Sequence, residues 1–351
     1  MLKNFDNFDI DKLLNWQLTH TRFLNNFSAK AYLRLIKRIL FKTVTIQYTK
    51  YDNDFSILYF DYKMNTRRDI ADMVIGVLGT FAHQCNIVTF KRIQHLNILR
   101  LKKVLGNLCS WTKELHGSKY RHKEKIIIFS LLIEFLDVLE DLKTLDFTLY
   151  NLTLCFYDSE PFQNLFSQYA KLQGCKTSTL QHGVMLAPRF SVVNNIDFAG
   201  IEFYSFVCDY FLVWNDFTKN EAVKAGIDES RIKVLGISKC VGKPRLKCKQ
   251  DARSVGVFLD GEFEKFNNKP LINIVQDWAR KNSMNCVFRY HPNFEGTEYS
   301  DLIDNKVSSV CPQNVTLEEF IENNSFFVLA NSTVLFELEY YCVPFIRYST
   351  N

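Results

Sequence analysis

From Leu152 onward, short runs rich in β-branched and aromatic residues alternate with segments of helical spacing, and no other pattern constrains the fold as tightly. Leu152 to Tyr157, Thr177 to Gln181, Tyr210 to Val213 and Lys233 to Leu235 read as strands, with helices at Pro161 to Leu172 and Asp216 to Ala225 between them. A polar, lysine-rich connector runs from Lys239 to Arg253. The alternation then resumes, with strands at Val255 to Leu259, Cys286 to Tyr290, Phe326 to Leu329 and Phe345 to Tyr348. Helices are expected at Leu271 to Lys281, Leu317 to Glu322 and Thr333 to Tyr341. Such alternation predicts parallel sheets covered by helices, and so two α/β domains, residues 1–240 and 241–351.

The first 150 residues follow a different pattern. Apolar spacing is helical from Asp11 to Lys42, and Val44 to Tyr48, Ile57 to Phe60 and Ile87 to Phe90 look like strands. Thr66 or Asp69 opens a helix toward Phe81, and two long helical stretches follow, Ile93 to Leu115 and Lys123 to Leu142. They form a mostly helical elaboration of the first domain.

Composition excludes several classes. Apolar residues make up 47% of the 351-residue chain and aromatics 15%, far too much buried surface for a disordered protein. The most apolar window, Ile126 to Leu139, carries Glu134 and Asp137 and falls short of the roughly 20 apolar residues of a membrane span. Asp6, Asp9 and Asp11 occupy the start of the chain where a secretory signal needs a basic and then an apolar stretch, so a cytosolic protein is expected. Ten cysteines are scattered without a C-x-x-C pair, which predicts reduced, mostly buried thiols rather than a bridge framework or a zinc knuckle. A net charge of +5 is too mild to mark a nucleic-acid binder.

Generic motifs fall away on inspection. Gly236 to Lys243 has one residue too many for a phosphate loop, and Pro244 stands where Ser or Thr is needed. Asp52-Asn53-Asp54 is turn chemistry. No G-x-G-x-x-G supports a dinucleotide cofactor.

Three sites at the carboxyl ends of predicted strands remain, where ligands of open α/β sheets bind. Gln181-His182-Gly183 places a histidine of near-neutral pKa beside a glycine; it is either a satisfied core residue or a general base for a hydroxyl proton. Arg289-Tyr290-His291-Pro292 offers donors to a phosphate, or simply ends a strand. Asn331-Ser332-Thr333 starts a helix, where Ser and Thr serve as caps and the same N-terminus also accepts an anion. Asp158 and Glu160 follow strand Leu152 to Tyr157. Capping the helix at Pro161 explains them, and facing a cleft they would be reserve bases. Asp260-Gly261 reads first as a turn.

In order and spacing these motifs resemble the GT-B glycosyltransferases of bacterial capsule and cell-wall glycan synthesis, a group that includes CDP-glycerol glycerophosphotransferases, polysialyltransferases and Kdo transferases. The resemblance rests on T-L-Q-H-G-V from Thr179, Y-F-L-V-W-N from Tyr210, A-G-I-D-E-S-R-I-K-V-L-G from Ala225, R-Y-H-P from Arg289 and A-N-S-T-V-L-F-E-L from Ala330. It covers about residues 150 to 347. It implies two facing Rossmann-like domains, with His182 as catalytic base in the first. Arg289, His291, Ser332 and Thr333 would contact the donor phosphate in the second, and Glu337 the donor ribose. It further implies an inverting transferase without metal or resident cofactor, using a nucleotide-sugar donor and a glycan or lipid-linked glycan acceptor. Two features depart from the group: Cys342 stands where glycine is common, two residues before Pro344, and the chain ends at Asn351, soon after the last strand, so a shortened second domain is expected. Two other readings stay open: transfer of a polyol phosphate from a CDP donor, and a non-catalytic nucleotide- or glycan-binding subunit.

Arg22 to Lys42 carries Arg22, Lys30, Arg34, Lys37, Arg38 and Lys42 with no acidic residue, interleaved with apolar positions. This is either a helix that lies on an anionic leaflet or a core helix with a solvated basic face.

Overall fold

A computed structural model describes residues 4–24, 29–50, 57–61, 73–74, 76–77, 85–183, 185, 187, 192–193, 196–197, 201–237, 240, 246, 253–261, 265–291, 297–330 and 332–348. The chain divides into two compact units, Met1–Lys239 and Cys240–Asn351.

The first unit begins with α1 (Ile10–Leu24) and α2 (Ala29–Leu40), followed by β1 (Phe41–Thr49), β2 (Ile57–Asp61) and β3 (Cys85–Leu96). Helices α3 (Ile98–Leu115) and α4 (His122–Leu142) precede β4 (Leu152–Cys155), α5 (Pro161–Leu172) and β5 (Lys176–Leu180). A short antiparallel pair, β6 (Val192–Val193) and β7 (Ile196–Asp197), leads to α6 (Ile201–Ser205), β8 (Tyr210–Val213), α7 (Asp216–Lys224) and β9 (Ile232–Val234). Seven strands form one sheet in the order β1-β3-β2-β4-β5-β8-β9. All neighbours are parallel except β1 and β3, which run antiparallel from Phe41 opposite Leu96 to Thr49 opposite Ile87.

The residues before Leu152 thus supply helices and also three strands of this sheet. That pairing corrects two expected boundaries. Phe41–Lys42 and Ile93–Leu96, both read as helical, are extended because each satisfies its backbone across the β1–β3 ladder. Of the helix expected toward Phe81, residues 73–74 and 76–77 are helical and the rest lies outside the described residues, as does most of the connector after Lys239.

The core of this unit forms where aromatic side chains of the sheet and helices meet: Phe60 stacks on Phe166 at 4.7 Å, and Phe135 meets Phe162 edge-on at 5.4 Å. Helix α4 is buried around most of its circumference, and its charges are paired, as burial requires. Glu134 takes Arg38 at 2.8 Å and Arg92 at 2.5 Å, while Arg100 grips Asp137 with two bonds of 2.7 and 2.9 Å. Among the described residues, no helix is long and apolar enough to cross a membrane.

The second unit contains β10 (Ser254–Phe258), α8 (Asn268–Asn282), β11 (Asn285–Arg289), β12 (Ser308–Val310), α9 (Leu317–Glu322), β13 (Phe326–Leu329), α10 (Val334–Tyr340) and β14 (Phe345–Arg347). Its sheet is parallel throughout, in the order β12-β11-β10-β13-β14. Strand β12, unforeseen from its Ser-Ser-Val sequence, is the edge beside β11. On one face of β10, Val255 and Val257 pack with Leu271, Ile272, Val275 and Phe288. On the other, Phe258, Phe320 and Phe327 cluster. Gly256 is the point of closest approach: a Cβ there would stand 2.5 Å from the Phe327 ring.

Candidate functional site

Strand order locates the ligand-binding end of each unit. In the first, β2 pairs with β3 on one side and β4 on the other, and in the second β10 pairs with β11 and β13. Connections leave in opposite directions from each of these points, and the crevice beyond the carboxyl ends there is where open α/β sheets bind ligands.

In the first unit, the turn after β4 is held from all sides. Phe156 and Tyr157 donate their N–H groups to Gln163 Oε1 (2.8 and 3.0 Å), and Asp158 N–H donates to Thr179 Oγ1 (3.0 Å). Asn164 Nδ2 bonds the carbonyls of Asp158 and Ser205 (2.7 and 2.9 Å). The Asp158 side chain is buried, and its Oδ2 accepts from the N–H groups of Val207 (2.8 Å) and Cys208 (3.1 Å). Burial lifts its pKa, with the backbone bonds opposing.

Both reserve bases are therefore corrected to structural duty. Asp158 is a clamp across the turn rather than a group facing a cleft, and Glu160, also buried, caps α5 by accepting Phe162 N–H at 3.2 Å. Pro161 at the first helical position needs no N–H partner.

His182 leaves β5 half-buried and lies on the Tyr157 ring, with centroids 3.7 Å apart and planes inclined by 35°. Tyr157 is backed edge-on by Trp16 at 5.4 Å. The neighbouring Gln181 fixes the strand exit: its Oε1 accepts Trp214 N–H (2.8 Å), and its Nε2 donates to Gly183 O (2.6 Å) and Thr218 Oγ1 (3.0 Å). The imidazole thus rests with one face on an aromatic ring, beside a strand exit that Gln181 locks. Tyr157 and Gln163 escaped sequence reading, and Gln181 was named there without a role, because their roles arise from contacts with other strands and helices.

In the second unit, the turn after β10 is equally fixed. Asp260 N–H donates to Asn268 Oδ1 (2.8 Å), Asn268 Nδ2 donates back to Asp260 O (2.9 Å), and Asn267 Nδ2 reaches Asp260 Oδ2 (3.1 Å). Asp260-Gly261 lies in the irregular segment just after β10 and serves as a platform. The His291 ring packs against Gly261 so closely that a Cβ there would meet Cγ and Nδ1 at 3.2 Å. The Asn267-Asn268 pair opening α8 is the sequence signal that marks this cradle.

Arg289 is placed differently from expectation. Its Nη1 donates to Val315 O (2.9 Å), and its guanidinium lies over the Phe320 ring at 5.5 Å, so it secures the loop after β12 rather than presenting itself to a phosphate. Ser332 and Thr333 precede α10, half-buried. Thr333 makes no side-chain capping bond, and Ser332 Oγ accepts Val334 N–H only at 3.4 Å. Glu337 is buried on α10, one turn onward. Among the described residues no group of three His, Cys, Asp or Glu side chains is placed to hold a metal ion.

No protein-family model matches the chain, and no curated protein matches it by sequence. Solved structures do match. The UDP-GlcNAc 2-epimerase from Neisseria meningitidis bound to UDP-GlcNAc superposes with a TM-score of 0.51 at 13% identity, covering 84% of this chain and 83% of that one. A Listeria monocytogenes protein described as a UDP-N-acetylglucosamine 2-epimerase gives 0.52 at 11%, covering 83% and 78%. S. aureus MnaA in complex with UDP gives 0.50 at 12%, covering 84% and 79%. At such identities the likeness is one of fold: the chain is an α/β protein with two Rossmann-like parallel sheets, as in GT-B proteins.

Proposed function

We propose that this chain is an inverting glycosyltransferase that moves a sugar from a nucleotide-sugar donor to a hydroxyl of a surface or capsular glycan, reached from the cytoplasmic side. The observation that carries the reading is His291 packed on the bare main chain of Gly261 at the switch point of the second sheet. There an imidazole, with the hydroxyls of Ser332 and Thr333 at the next exit, supplies donors for the leaving phosphate.

In the transfer, His182 takes the proton of the acceptor hydroxyl while that oxygen forms a bond to the anomeric carbon. The bond to the nucleotide phosphate breaks on the opposite face, and its electron pair leaves with the phosphate. One base and one displacement give inversion. The stack on Tyr157 holds the imidazole in place throughout.

A second reading is favoured by the fold comparisons, whose matches include a 2-epimerase holding UDP-GlcNAc. Here the chain would rearrange the sugar of a nucleotide sugar without an acceptor. Mass spectrometry and nuclear magnetic resonance of UDP-, GDP-, CDP- and CMP-linked sugars, each incubated with and without glycan acceptors, separate the two. Donor consumption that requires acceptor supports transfer. A stereoisomer formed without acceptor supports epimerisation, and no change in any donor contradicts both.

A further inference from the structure

Between Asp11 and Asp52, and again between Asp72 and Glu114, the chain contains no acidic residue. The fold brings these two acid-free stretches together: Phe41 lies opposite Leu96 and Lys42 opposite His95, while Arg100 donates to the carbonyls of Arg38 and Ile39 (2.7 and 3.0 Å). The end of α2 is therefore pinned against the start of α3.

Helix α2 has three distinct stripes. Arg38 faces α4, bonded to Ser130 and Glu134. Tyr32, Leu33, Ile36 and Leu40 form an outward apolar stripe, with Leu33 66% and Ile36 52% exposed. Beside it run Lys30, Arg34 and Lys37, also exposed. Three more exposed apolar residues, Leu96, Ile98 and Leu99, continue the surface at the β3–α3 corner; Ile98 and Leu99 are 68% and 78% exposed.

The carboxylates that α4 brings near this surface are already neutralised. Glu134 is paired with Arg38 and Arg92, Asp137 with Arg100, Asp141 with Lys42, and Glu140 with Lys103 and Lys143. By contrast, Lys30, Arg34, Lys37 and Lys102 make no ion pair among the described residues.

We infer that this face docks the chain on an anionic lipid leaflet. Leu33, Ile36, Ile98 and Leu99 enter the headgroup–acyl boundary, and the unpaired lysines and Arg34 meet lipid phosphates. An apolar stripe flanked by cations, with no acidic side chain on α2 or on α3 before Glu114 and with the carboxylates of α4 neutralised behind it, matches that surface in both polarity and charge. The inference stands apart from the nucleotide-sugar reading, and neither falls with the other.

Vesicle flotation tests it, using phosphatidylcholine alone and phosphatidylcholine mixed with phosphatidylglycerol. The full chain should float with the mixed vesicles at low salt, less so at high salt, and stay below with phosphatidylcholine alone. The variant Lys30→Gln/Arg34→Gln/Lys37→Gln should bind about a hundredfold more weakly, roughly fivefold per charge. Leu33→Ser/Ile36→Ser should lose binding by about tenfold or more. Since all five side chains are exposed, both variants should keep the wild-type melting temperature. Absence of wild-type binding to anionic vesicles overturns the inference. So does binding unchanged in either variant, or a dimer in solution that Leu33→Ser/Ile36→Ser dissociates while vesicle binding persists.

Discussion

The two units use glycine differently. In the first, α5 and α7 return to the sheet through Gly174 and Gly226, at φ of 84° and 91°, with the next N–H bonded back across the turn from Cys175 to Ala170 O and from Ile227 to Ala222 O. In the second, the corresponding positions after α8 and α10 are Ser283 and Cys342, at 53° and 54°, closed by the same bonds from Met284 to Ala279 O and Val343 to Leu338 O. Among the described residues there, glycine sits instead where something approaches the backbone: Phe327 at Gly256 and His291 at Gly261. The first unit relieves strain at its helix ends. The second carries that strain and keeps its bare backbone for contact.

The largest expected effect belongs to the first unit's exit. His182→Ala should lower turnover by about 10²–10⁴-fold and leave nucleotide affinity nearly unchanged, as measured by steady-state kinetics beside calorimetry. Loss of nucleotide affinity instead would give His182 the phosphate role assigned to His291 and erase the functional half of the comparison.

Next in size is Gly256→Ala, which forces the Phe327 ring out of its cluster and should cost about 1–3 kcal/mol in urea unfolding. Gly174→Ala offers the contrast, since nothing lies within 4 Å of its Cβ position and only backbone strain opposes it. Its cost should be about 1 kcal/mol. Cys342→Gly should stabilise by about 1 kcal/mol, by relieving a left-handed residue without removing any packing. If Cys342→Gly destabilises, the second unit is not strained there.

The smallest effect is a pH slope. Burial raises the folded pKa of Asp158 above its ordinary 3.8, so the folded chain holds a proton that the unfolded chain releases. Stability from this group therefore falls as pH rises from the ordinary value through the raised one. Asp158→Asn should flatten that part of the pH profile of the urea midpoint while its carbonyl still accepts from Val207 and Cys208.

The repeating part of the fold was largely legible in the sequence, because its strands are short apolar runs between helix signals. Tyr210–Val213, Leu317–Glu322 and Phe326–Leu329 match expectation to the residue. Strand β12 was missed because Ser308 and Ser309 carry no apolar alternation, and Ile93–Leu96 was misplaced because its spacing fits a helix until the β1 partner is known. In the site, His182 and His291 were visible as strand exits. The platform under each was not: Tyr157 and Gly261 acquire meaning only through the ring that lies on them. Arg289 looked like a phosphate ligand because it is a cation at a strand exit, two residues before His291, whereas its partners, Val315 and Phe320, come from the loop and helix beyond β12.

Isothermal titration calorimetry of UDP, CDP, GDP and CMP against the full chain tests the central claim most directly, with His291→Ala and Gly261→Val alongside. At least one nucleotide should bind the wild type, and each substitution should weaken it, His291→Ala by removing a charge-assisted contact worth about 1.5–3 kcal/mol and Gly261→Val by displacing the ring from its platform. Failure of every nucleotide to bind the wild-type chain, or equal affinity in both variants, would contradict it.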